Sequence, residues 1–551
     1  MKSLHLGAFH FFKPSTMKKL LFPVLLLVAA VSIAQNKKPN IVFIMADDMG
    51  FSDIGSYGAE IQTPNLDKLA GAGVRLKQFY NTGRCCPTRA SLLTGQYSHN
   101  VGMGYMTGFD QETPGYLGDL NKQNMTIAEA LKMAGYSSYM AGKWHVSSNT
   151  KPKGPQDNWP LQRGFDRYFG TLMGSGSYFK PKTLMSGNAP VKPEQGFYLT
   201  DAISDSASKF IKDHIVQKNN APFFLYVAYT APHWPLHAKE QDIEKYSKLY
   251  QQGWDSLRLK RYKKQIQLGV LDPSYALSPR EDSVPAWKDI PASEKAIWVK
   301  RMAIYAAQVD CMDQGIGKII STLKENKVLE NTMVVFVSDN GGCAEYTSTM
   351  DNSIEKLGTD ESYESYRGAW ANLSNTPFRL YKTRLHEGGI HAPCIISWPG
   401  HTPKPGAVLE NAPVHIIDMM PSFLEMAGVE YPNQFNHNNL NPINGRSFLP
   451  ILQNKQQADR VLYWEHQANR AIRIQDWKLV SKSSEEPPYI GNWELYDLKK
   501  DRTEKFDLAL KYPEKVKELE AIWNKWANAN HVFPLIGSDL PKRGQQFKRV
   551  F

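Results

Sequence analysis

Two pairs of adjacent polar residues have the chemistry of metal ligands, and each pair follows an apolar segment. Asp47 and Asp48 come directly after the apolar run Ile41–Met45, and Asp339 and Asn340 follow the run MVVFVS. Carboxylate and amide oxygens favour a hard divalent cation, Ca²⁺ or Mg²⁺. Capping and turn formation are the alternative roles of such residues. Because both pairs follow apolar segments, the sequence favours a metal site.

A further group of reactive residues lies in the stretch TGRCCPTRASLLTGQ, where Cys85 and Cys86 are adjacent. Vicinal cysteines rarely form a disulfide with each other, because the short ring strains the bond. One of the two thiols therefore has another role, and a free thiol or a redox pair are the ordinary alternatives. Arg89 follows one helical turn later and either belongs to a site or faces solvent.

Three more residues come just after predicted strands. Lys143 and His145 end the segment SSYMAGKWH, and His233 lies in the loop after the apolar strand Phe223–Tyr229. Lys382 belongs to a local basic run. Each has an ordinary alternative, a surface charge for the lysines and a structural role for the histidines. The shared position of Lys143, His145 and His233 behind strands favours their convergence on one site.

The elements that must position these residues alternate between strands and helices. Apolar strands at Ile41–Met45 and Phe223–Tyr229 are separated by helical patterns, and a long amphipathic helix is predicted over Lys295–Lys324. This alternation predicts an α/β fold with a large, mixed, mainly parallel sheet sandwiched by helices. Sites in such sheets lie beyond the carboxyl ends of the strands.

The C-terminal part of the chain has a different pattern. VLYWEH, RAIRIQDWKLV and WELYDL are typical of antiparallel strands, and PEKVKELEAIWNKWANA is typical of a closing helix. We therefore expect a catalytic domain over residues 35–445 and a smaller α+β domain, built on a short antiparallel sheet, over residues 446–551. The polar insertion 237–293 contains helical stretches but no evident chemistry.

The N-terminus has the composition of an export signal. Residues 1–34 contain a basic start at Lys18, an apolar run and a small-x-small cleavage site, and Met17 is an alternative start. The run is too short for a membrane span of about 20 residues and contains Pro23. We expect a cleaved signal peptide, export to a periplasm or beyond and no stable membrane insertion. An uncleaved anchor is the alternative.

Composition and charge exclude several classes of protein. With 42% hydrophobic and 22% charged residues, the chain is an ordinary globular protein. Its net charge of +11 is spread along the sequence, which suits anionic substrates but lacks the clustered basic footprint of a nucleic-acid-binding protein. Five cysteines do not make a disulfide framework. Cys311 and Cys394 lie in apolar segments, where we expect buried thiols.

The stretch CCPTRASLLTG contains the pattern Cys-x-Pro-x-Arg followed by Leu-Thr-Gly, beginning at Cys85. This pattern resembles that of the formylglycine-dependent sulfatases of the alkaline phosphatase superfamily. Thr88 replaces the Ser of many members and keeps a hydroxyl. The resemblance extends over nearly the whole chain from about Pro39, through ADDMG, TPNLDKLA, AGKWH, APHWP, SDNGG and NTPFRLYKTRLHEGGI. It implies an alkaline phosphatase-like fold.

The resemblance implies that a sulfatase-maturating enzyme oxidises Cys85 to formylglycine (3-oxoalanine), whereas Cys86 fills a variable position. The aldehyde hydrates to a geminal diol, which can expel sulfate by collapsing back to the aldehyde, so turnover needs no second attack at sulfur. One Ca²⁺ ion is implied, and residue 85 would share it with four other ligands, Asp47, Asp48, Asp339 and Asn340. Asp339 would also accept a proton from the attacking hydroxyl.

Roles for the remaining residues follow from the same resemblance. Arg89 and Lys143 would hold the diol and offset developing charge. His145 would take the proton of the second hydroxyl, and His233 and Lys382 would contact the oxygen that leaves with the alcohol. The implied reaction is hydrolysis of a sulfate monoester, with a sulfated carbohydrate as physiological substrate and aryl sulfates as surrogates.

Two other functions fit the same residues. Related formylglycine enzymes hydrolyse phosphodiesters or phosphonate monoesters, and a sulfated-glycan binding protein without turnover would leave Cys85 as a thiol. The sulfated group would be recognised by loops such as 340–375, by the insertion and by the tail. The candidate contacts there are Tyr363, Tyr366, Arg367, Trp370, His466 and Arg470.

Overall fold

The structure is a computed structural model that describes residues 38–218, 221–410, 412–486 and 488–537. The predicted signal peptide, residues 1–34, lies outside the described residues. From Pro39 onward the described chain forms one compact unit. Within these ranges no helix has both the length and the apolar character that crossing a membrane requires.

The strands of the described chain are numbered in sequence order. In chain order they are β1 (Asn40–Ala46), β2 (Val74–Leu76), β3 (Phe79–Tyr80), β4 (Ser137–Gly142), β5 (Arg167–Thr171), β6 (Leu184–Ser186), β7 (Ala189–Pro190), β8 (Phe223–Ala228), β9 (Thr332–Ser338), β10 (Cys394–Ser397), β11 (Val408–Leu409), β12 (Val414–His415), β13 (Gln434–Phe435), β14 (Asn438–Asn439), β15 (Val461–His466), β16 (Asn469–Ile474), β17 (Trp477–Ser481) and β18 (Trp493–Asp497).

The α-helices are labelled in the same way. They are α1 (Pro64–Ala72), α2 (Cys85–Thr94), α3 (Ile127–Lys132), α4 (Leu199–Lys218), α5 (Glu240–Glu244), α6 (Gly253–Gln267), α7 (Ala292–Glu325), α8 (Arg367–Ser374), α9 (Glu387–Ile390), α10 (Met419–Ala427), α11 (Leu449–Leu452) and α12 (Pro513–Ala529).

A ten-stranded mixed sheet in the order β11-β2-β10-β9-β1-β8-β4-β5-β6-β7 forms the centre of the molecule. Its five middle strands, from β9 to β5, are parallel, whereas β10, β6 and β7 pair antiparallel with their neighbours. The central strands β1, β8 and β9 are buried at every position, which explains their continuous apolar runs. The predicted mixed, mainly parallel sheet is confirmed.

Helices cover both faces of this sheet. Val42 and Ile44 of β1 pack into one apolar cluster with Ile304 of α7, whereas Phe43 and Met45 pack into a second cluster on the opposite face. This alternation follows from the two-residue period of a strand. The long helix α7 packs against α1, α4 and α5 on the first face, and α3 packs against α10 on the second. The sheet is thus sandwiched, as predicted.

The C-terminal region contains a separate four-stranded antiparallel sheet, β15-β16-β17-β18. The closing helix predicted there is observed as α12, and its residues Leu519 and Trp523 pack with Ile472 and Leu479 of the sheet. The segment RAIRIQDWKLV, whose pattern is typical of antiparallel strands, forms two of them, because the chain turns at Gln475 with a left-handed backbone (φ 54°). The domain division at residue 445 stays a prediction.

Candidate active site

The polar pairs that follow β1 and β9 lie side by side at the carboxyl end of the sheet. The two strands are parallel neighbours with Ala46 opposite Ser338, so the residues after them meet. The backbone N–H of Asp48 donates to Asp339 Oδ1 at 3.1 Å, and the amide of Asn340 donates to Asp48 Oδ1 at 2.7 Å. All of these carboxyl and amide groups are buried.

Two oxygen atoms of this cluster lack a hydrogen-bond partner among the described residues. They are Asp47 Oδ1 and Asn340 Oδ1, and both are buried. The ligand atoms of Asp47, Asp48 and His233 lie within 4.8 Å of one another. A buried oxygen without a partner is costly unless an ion or a donor compensates it. The cluster therefore fits a hard divalent cation such as Ca²⁺ or Mg²⁺.

The pKa shifts of the carboxyl groups support the same conclusion. Burial raises the pKa of Asp47 despite the charges of Lys143 and Arg89. Burial, followed by the charge of Asp47, raises the pKa of Asp339 well above its usual value. A bound cation would stabilise the ionised form of both groups and lower both pKa values.

Cys85 begins helix α2, and the structure shows it as a free, buried cysteine. The hydrogen bond from Cys86 holds the pKa of the Cys85 thiol well below its usual value, with Lys143 and His145 adding to the effect against the opposing effect of burial. A negative charge on the side chain of residue 85 is therefore stabilised by its surroundings. An attacking oxygen anion at this position requires the same stabilisation.

Arg89 and Lys143 are completely buried, which rules out the surface-charge alternative for both. Arg89 Nη2 donates to Asp339 Oδ2 at 2.8 Å, and Lys143 Nζ donates to Asp47 Oδ2 at 2.5 Å. Thr88 Oγ1 donates to the backbone carbonyl of Asp339 at 2.7 Å, a bond that a serine hydroxyl could also make. The turn at the start of α2 is thus tied directly to the end of β9.

His145 follows β4 with a left-handed backbone (φ 54°), a conformation uncommon outside glycine. Its Nε2 lies 3.2 Å from Cys86 Sγ, and its buried Nδ1 has no partner among the described residues. Burial lowers the pKa of His145 to about 4, so the imidazole is neutral. Cys86, expected only to fill a variable position, instead contacts this imidazole.

His233 and Lys382 meet on the other side of Asp48. Lys382 Nζ lies 2.8 Å from a carboxylate oxygen of Asp48 and 3.5 Å from His233 Nε2. Burial lowers the pKa of His233 to about 4. Burial opposes the charge on Lys382, but Asp48, Cys343 and Glu345 together outweigh it and raise the lysine pKa well above its usual value. A neutral imidazole therefore lies beside a protonated amine.

Glu345, which no sequence pattern indicated, closes this side of the site. Its carboxylate accepts hydrogen bonds from Arg84 at 2.5 Å and from the indole N–H of Trp234 at 3.0 Å, and it lies 3.6 Å from Lys382. The residue lies in an irregular loop after β9, where no periodic pattern marks it. Its short spacing from Asn340, in DNGGCAE, was the one available indication.

Some of these groups line a cavity of about 860 Å³. Cys85, His145, His233 and Lys382 line it. Its outer walls carry aromatic, polar and charged side chains, Arg84, Tyr105, Phe109, Trp234, Glu345 and Gln467.

Several of the expected substrate contacts lie elsewhere. Tyr366 and Trp370 are buried in the core, so the expectation that they hold a sugar is wrong. His466 and Arg470 do not line the cavity; Gln467, in the turn between β15 and β16, does. The strand pattern of the sequence did not indicate Gln467, because this residue lies in a hairpin turn beyond the end of the sheet.

Comparison with known proteins agrees with this geometry. Residues 39–429 match the family "Sulfatase", and residues 378–527 match "N-sulphoglucosamine sulphohydrolase, C-terminal". The chain is 33% identical to an uncharacterized sulfatase of Schizosaccharomyces pombe, over 89% of this chain and 93% of that protein. It is 32% identical to an arylsulfatase of Klebsiella aerogenes, over 74% of this chain and 91% of that protein.

More distant relatives include sugar sulfatases. An N-acetylglucosamine-6-O-sulfatase of Bacteroides thetaiotaomicron is 28% identical, over 92% of this chain and 90% of that protein. The crystal structure of Ps i-CgsB, a protein also solved in complex with k-i-k-neocarrahexaose, superposes with a TM-score of 0.65 at 26% identity, over 91% of this chain and 95% of that one. The chain belongs to the sulfatase family and is a sulfuric ester hydrolase.

Proposed function

We propose that this sulfatase cleaves its esters with a formylglycine, formed from Cys85 by a separate maturating enzyme, and with one bound Ca²⁺ ion. The observation that carries the proposal is the place of Cys85 in the cavity lining. A negative charge on its side chain opposes ionisation of Asp47, Asp48 and Asp339, although His233 and Lys382 lower the pKa of Asp48 overall. The nucleophile and the cation ligands therefore belong to one buried cluster.

The modified residue would supply an oxygen nucleophile, and a cation held by Asp47, Asp48, Asp339 and Asn340 would supply positive charge that stabilises an anionic sulfate. Asp339 accepts the proton of the attacking hydroxyl, and Arg89 offsets the charge that develops there. His145, neutral and with one unpaired ring nitrogen, takes the second proton at residue 85 when sulfate leaves. Its contact with Cys86 keeps the imidazole beside this position.

The charges of the site suit an anionic ester. The three buried carboxylates are matched by three buried cations, Arg89, Lys143 and Lys382. A divalent ion then leaves the site with a net positive charge, which complements a sulfate monoester. The deep burial of these groups strengthens the attraction, because little water screens it.

The leaving alcohol departs on the side of His233 and Lys382. A neutral imidazole cannot donate from both nitrogens, and His233 Nδ1 donates to the carbonyl of Trp234 at 2.6 Å. The adjacent ammonium of Lys382 is then the proton donor for the bridging oxygen, and His233 orients it. Both residues line the cavity, so a bound ester reaches them directly.

The physiological substrate in this proposal is a sulfated carbohydrate, and aryl sulfates are surrogates. The cavity volume and its aromatic and hydrogen-bonding walls support a sugar. The relatives named after N-acetylhexosamine sulfates support it as well. The predicted signal peptide implies that the enzyme is exported to a periplasm or beyond, where sulfated glycans are accessible.

Peptide mass spectrometry tests the nucleophile. Trypsin releases residues 85–89 as CCPTR, and we expect this peptide, from active protein, to carry an aldehyde in place of one thiol. Cys85→Ala should lower sulfate release more than about a thousandfold, because the nucleophile is lost. Cys311→Ala removes another buried thiol, which does not line the cavity, and serves as the matched control.

Release of sulfate at full rate from protein that carries an unmodified Cys85 thiol would overturn the proposal. A second assay separates sulfate ester hydrolysis from phosphonate hydrolysis. It compares sulfated monosaccharides and 4-nitrophenyl sulfate with a phenyl phosphonate monoester. We expect kcat/KM to favour the sulfate esters.

A further inference from the structure

A second cavity of about 440 Å³ adjoins the catalytic cavity. Met173 and Ser175 line both, so the two spaces share one wall. These two residues belong to the segment that follows β5. A methyl group added at Gly174, between them, would lie 2.1 Å from the ring of His145. A ligand in the second cavity is therefore separated from the catalytic imidazole by a single turn of chain.

An aromatic pair connects the two cavities on the opposite side. Trp234 lines the catalytic cavity, Tyr363 lines the second, and their rings meet edge to face at 5.8 Å. Ser175, which lines both cavities, and Tyr363 both line the second cavity, so polar groups lie next to the aromatic pair. Aromatic faces next to polar groups are surfaces on which sugar rings bind.

The second cavity also carries one uncompensated positive charge. Lys180 is paired with Asp360, and the ring of His237 is bonded to the backbone carbonyl of Ser362 at 2.8 Å. Lys182 is exposed and forms no ion pair with any residue that the structure describes. The cavity thus offers a free ammonium group to an anionic ligand.

We propose that the second cavity binds the neighbouring sugar of a sulfated oligosaccharide. Lys182 faces an anionic group of that sugar, and Tyr363 and Met173 contact its ring. This inference rests on the proposed sulfatase action at Cys85 and adds a substrate class to it, an anionic oligosaccharide rather than a monosaccharide. Pockets of roughly 300–1,000 Å³ enclose drug-sized ligands, so the two cavities together hold more than one ring.

The test compares substrates of two lengths. Every sulfated N-acetylhexosamine that the enzyme desulfates is assayed alone and again with one hexuronate attached. 4-Nitrophenyl sulfate is the reference substrate. For the wild type we expect kcat/KM to be at least about tenfold higher on the disaccharide than on the monosaccharide, since a charge-assisted contact is added. Lys182→Ala and Tyr363→Ala should each remove most of this preference.

Lys122→Ala, which changes an exposed lysine outside both cavities, is the matched control and should keep the preference. Equal kcat/KM on both lengths, or a preference that survives both substitutions, overturns this inference while the proposed function stands. Failure to release sulfate from any sugar of the panel overturns the carbohydrate substrate itself. The two failures are therefore distinguishable.

Discussion

At the level of single residues, two buried oxygens define the chemistry of the site. Asp47 Oδ1 and Asn340 Oδ1 accept no hydrogen bond from any residue that the structure describes. Removal of Ca²⁺ with a chelator should abolish sulfate release and lower the thermal midpoint, and added Ca²⁺ should restore both. Asn340→Ala should weaken Ca²⁺ binding at least about tenfold, as measured by calorimetry, because one oxygen ligand is lost.

Asn438→Ala is the control for this experiment, since its side chain lies in the β13–β14 hairpin away from the cavity. We expect it to keep wild-type Ca²⁺ affinity. Protein that retains full activity after exhaustive chelation, with no metal detected by atomic emission, would contradict the metal assignment.

The ring of His145 lies so close to Gly174 that a side chain at position 174 would contact it. Gly174→Ala places a methyl group 2.1 Å from Cε1 of the imidazole, so the ring must move. We expect kcat on 4-nitrophenyl sulfate to fall about a hundredfold, because a displacement of about 1 Å is costly to a catalytic group. The matched substitution Gly176→Ala, with no atom within 4 Å of the added methyl, should retain kcat. Equal rates for the two variants would contradict the role of His145.

At the scale of elements, the close approach of strand ends fixes where Lys143 and His145 lie. Gly142, the last residue of β4, has φ 121°, and an added Cβ there would lie 1.9 Å from the carbonyl oxygen of Ala228 in β8. No side chain fits, so this position requires glycine. The residues that follow are thereby held against the end of β8, where the backbone N–H of Lys143 donates to Ala228 O at 2.8 Å.

Gly142→Ala should therefore separate β4 from β8 and displace the catalytic residues. We expect it to cost about 2 kcal/mol or more in stability and to lower kcat by about a hundredfold. Gly135→Ala also changes a glycine with positive φ, 81°, but meets no atom within 4 Å, so it should cost only about 1 kcal/mol and leave kcat unchanged. Urea unfolding and steady-state kinetics on both variants check this difference.

Sequence alone predicts the elements whose patterns are regular. The apolar runs of β1 and β9 and the long helix α7 are all present, because burial on two faces or on one stripe leaves a clear periodicity. The convergence of the polar residues followed from their common position after strands. Glu345 and Gln467 escaped prediction because irregular loops and a hairpin turn position them, and such chain segments have no periodicity to detect.

At the scale of the whole molecule, the C-terminal sheet is joined to the catalytic part by buried charges. Lys478 of β17 is fully buried and lies 2.7 Å from a carboxylate oxygen of Glu387 in α9 and 2.7 Å from one of Glu504. Glu387 also accepts hydrogen bonds from Tyr80 at 2.9 Å and is paired with His391 at 3.0 Å. The same sheet delivers Gln467 to the cavity, so the small sheet and the active site depend on one another.

This dependence predicts the effect of removing the central cation. Lys478→Met removes the cation that contacts both buried carboxylates, which should destabilise the protein by about 3–5 kcal/mol. Lys517→Met, the same substitution at an exposed ion pair on α12, should cost no more than about 0.5 kcal/mol. Because the described chain from Pro39 is one compact unit, we expect loss of activity and loss of tryptophan fluorescence to coincide during urea unfolding of the Lys478 variant. Unfolding of the C-terminal sheet in a separate step, with activity retained, would show instead that the sheet is an independent appendage.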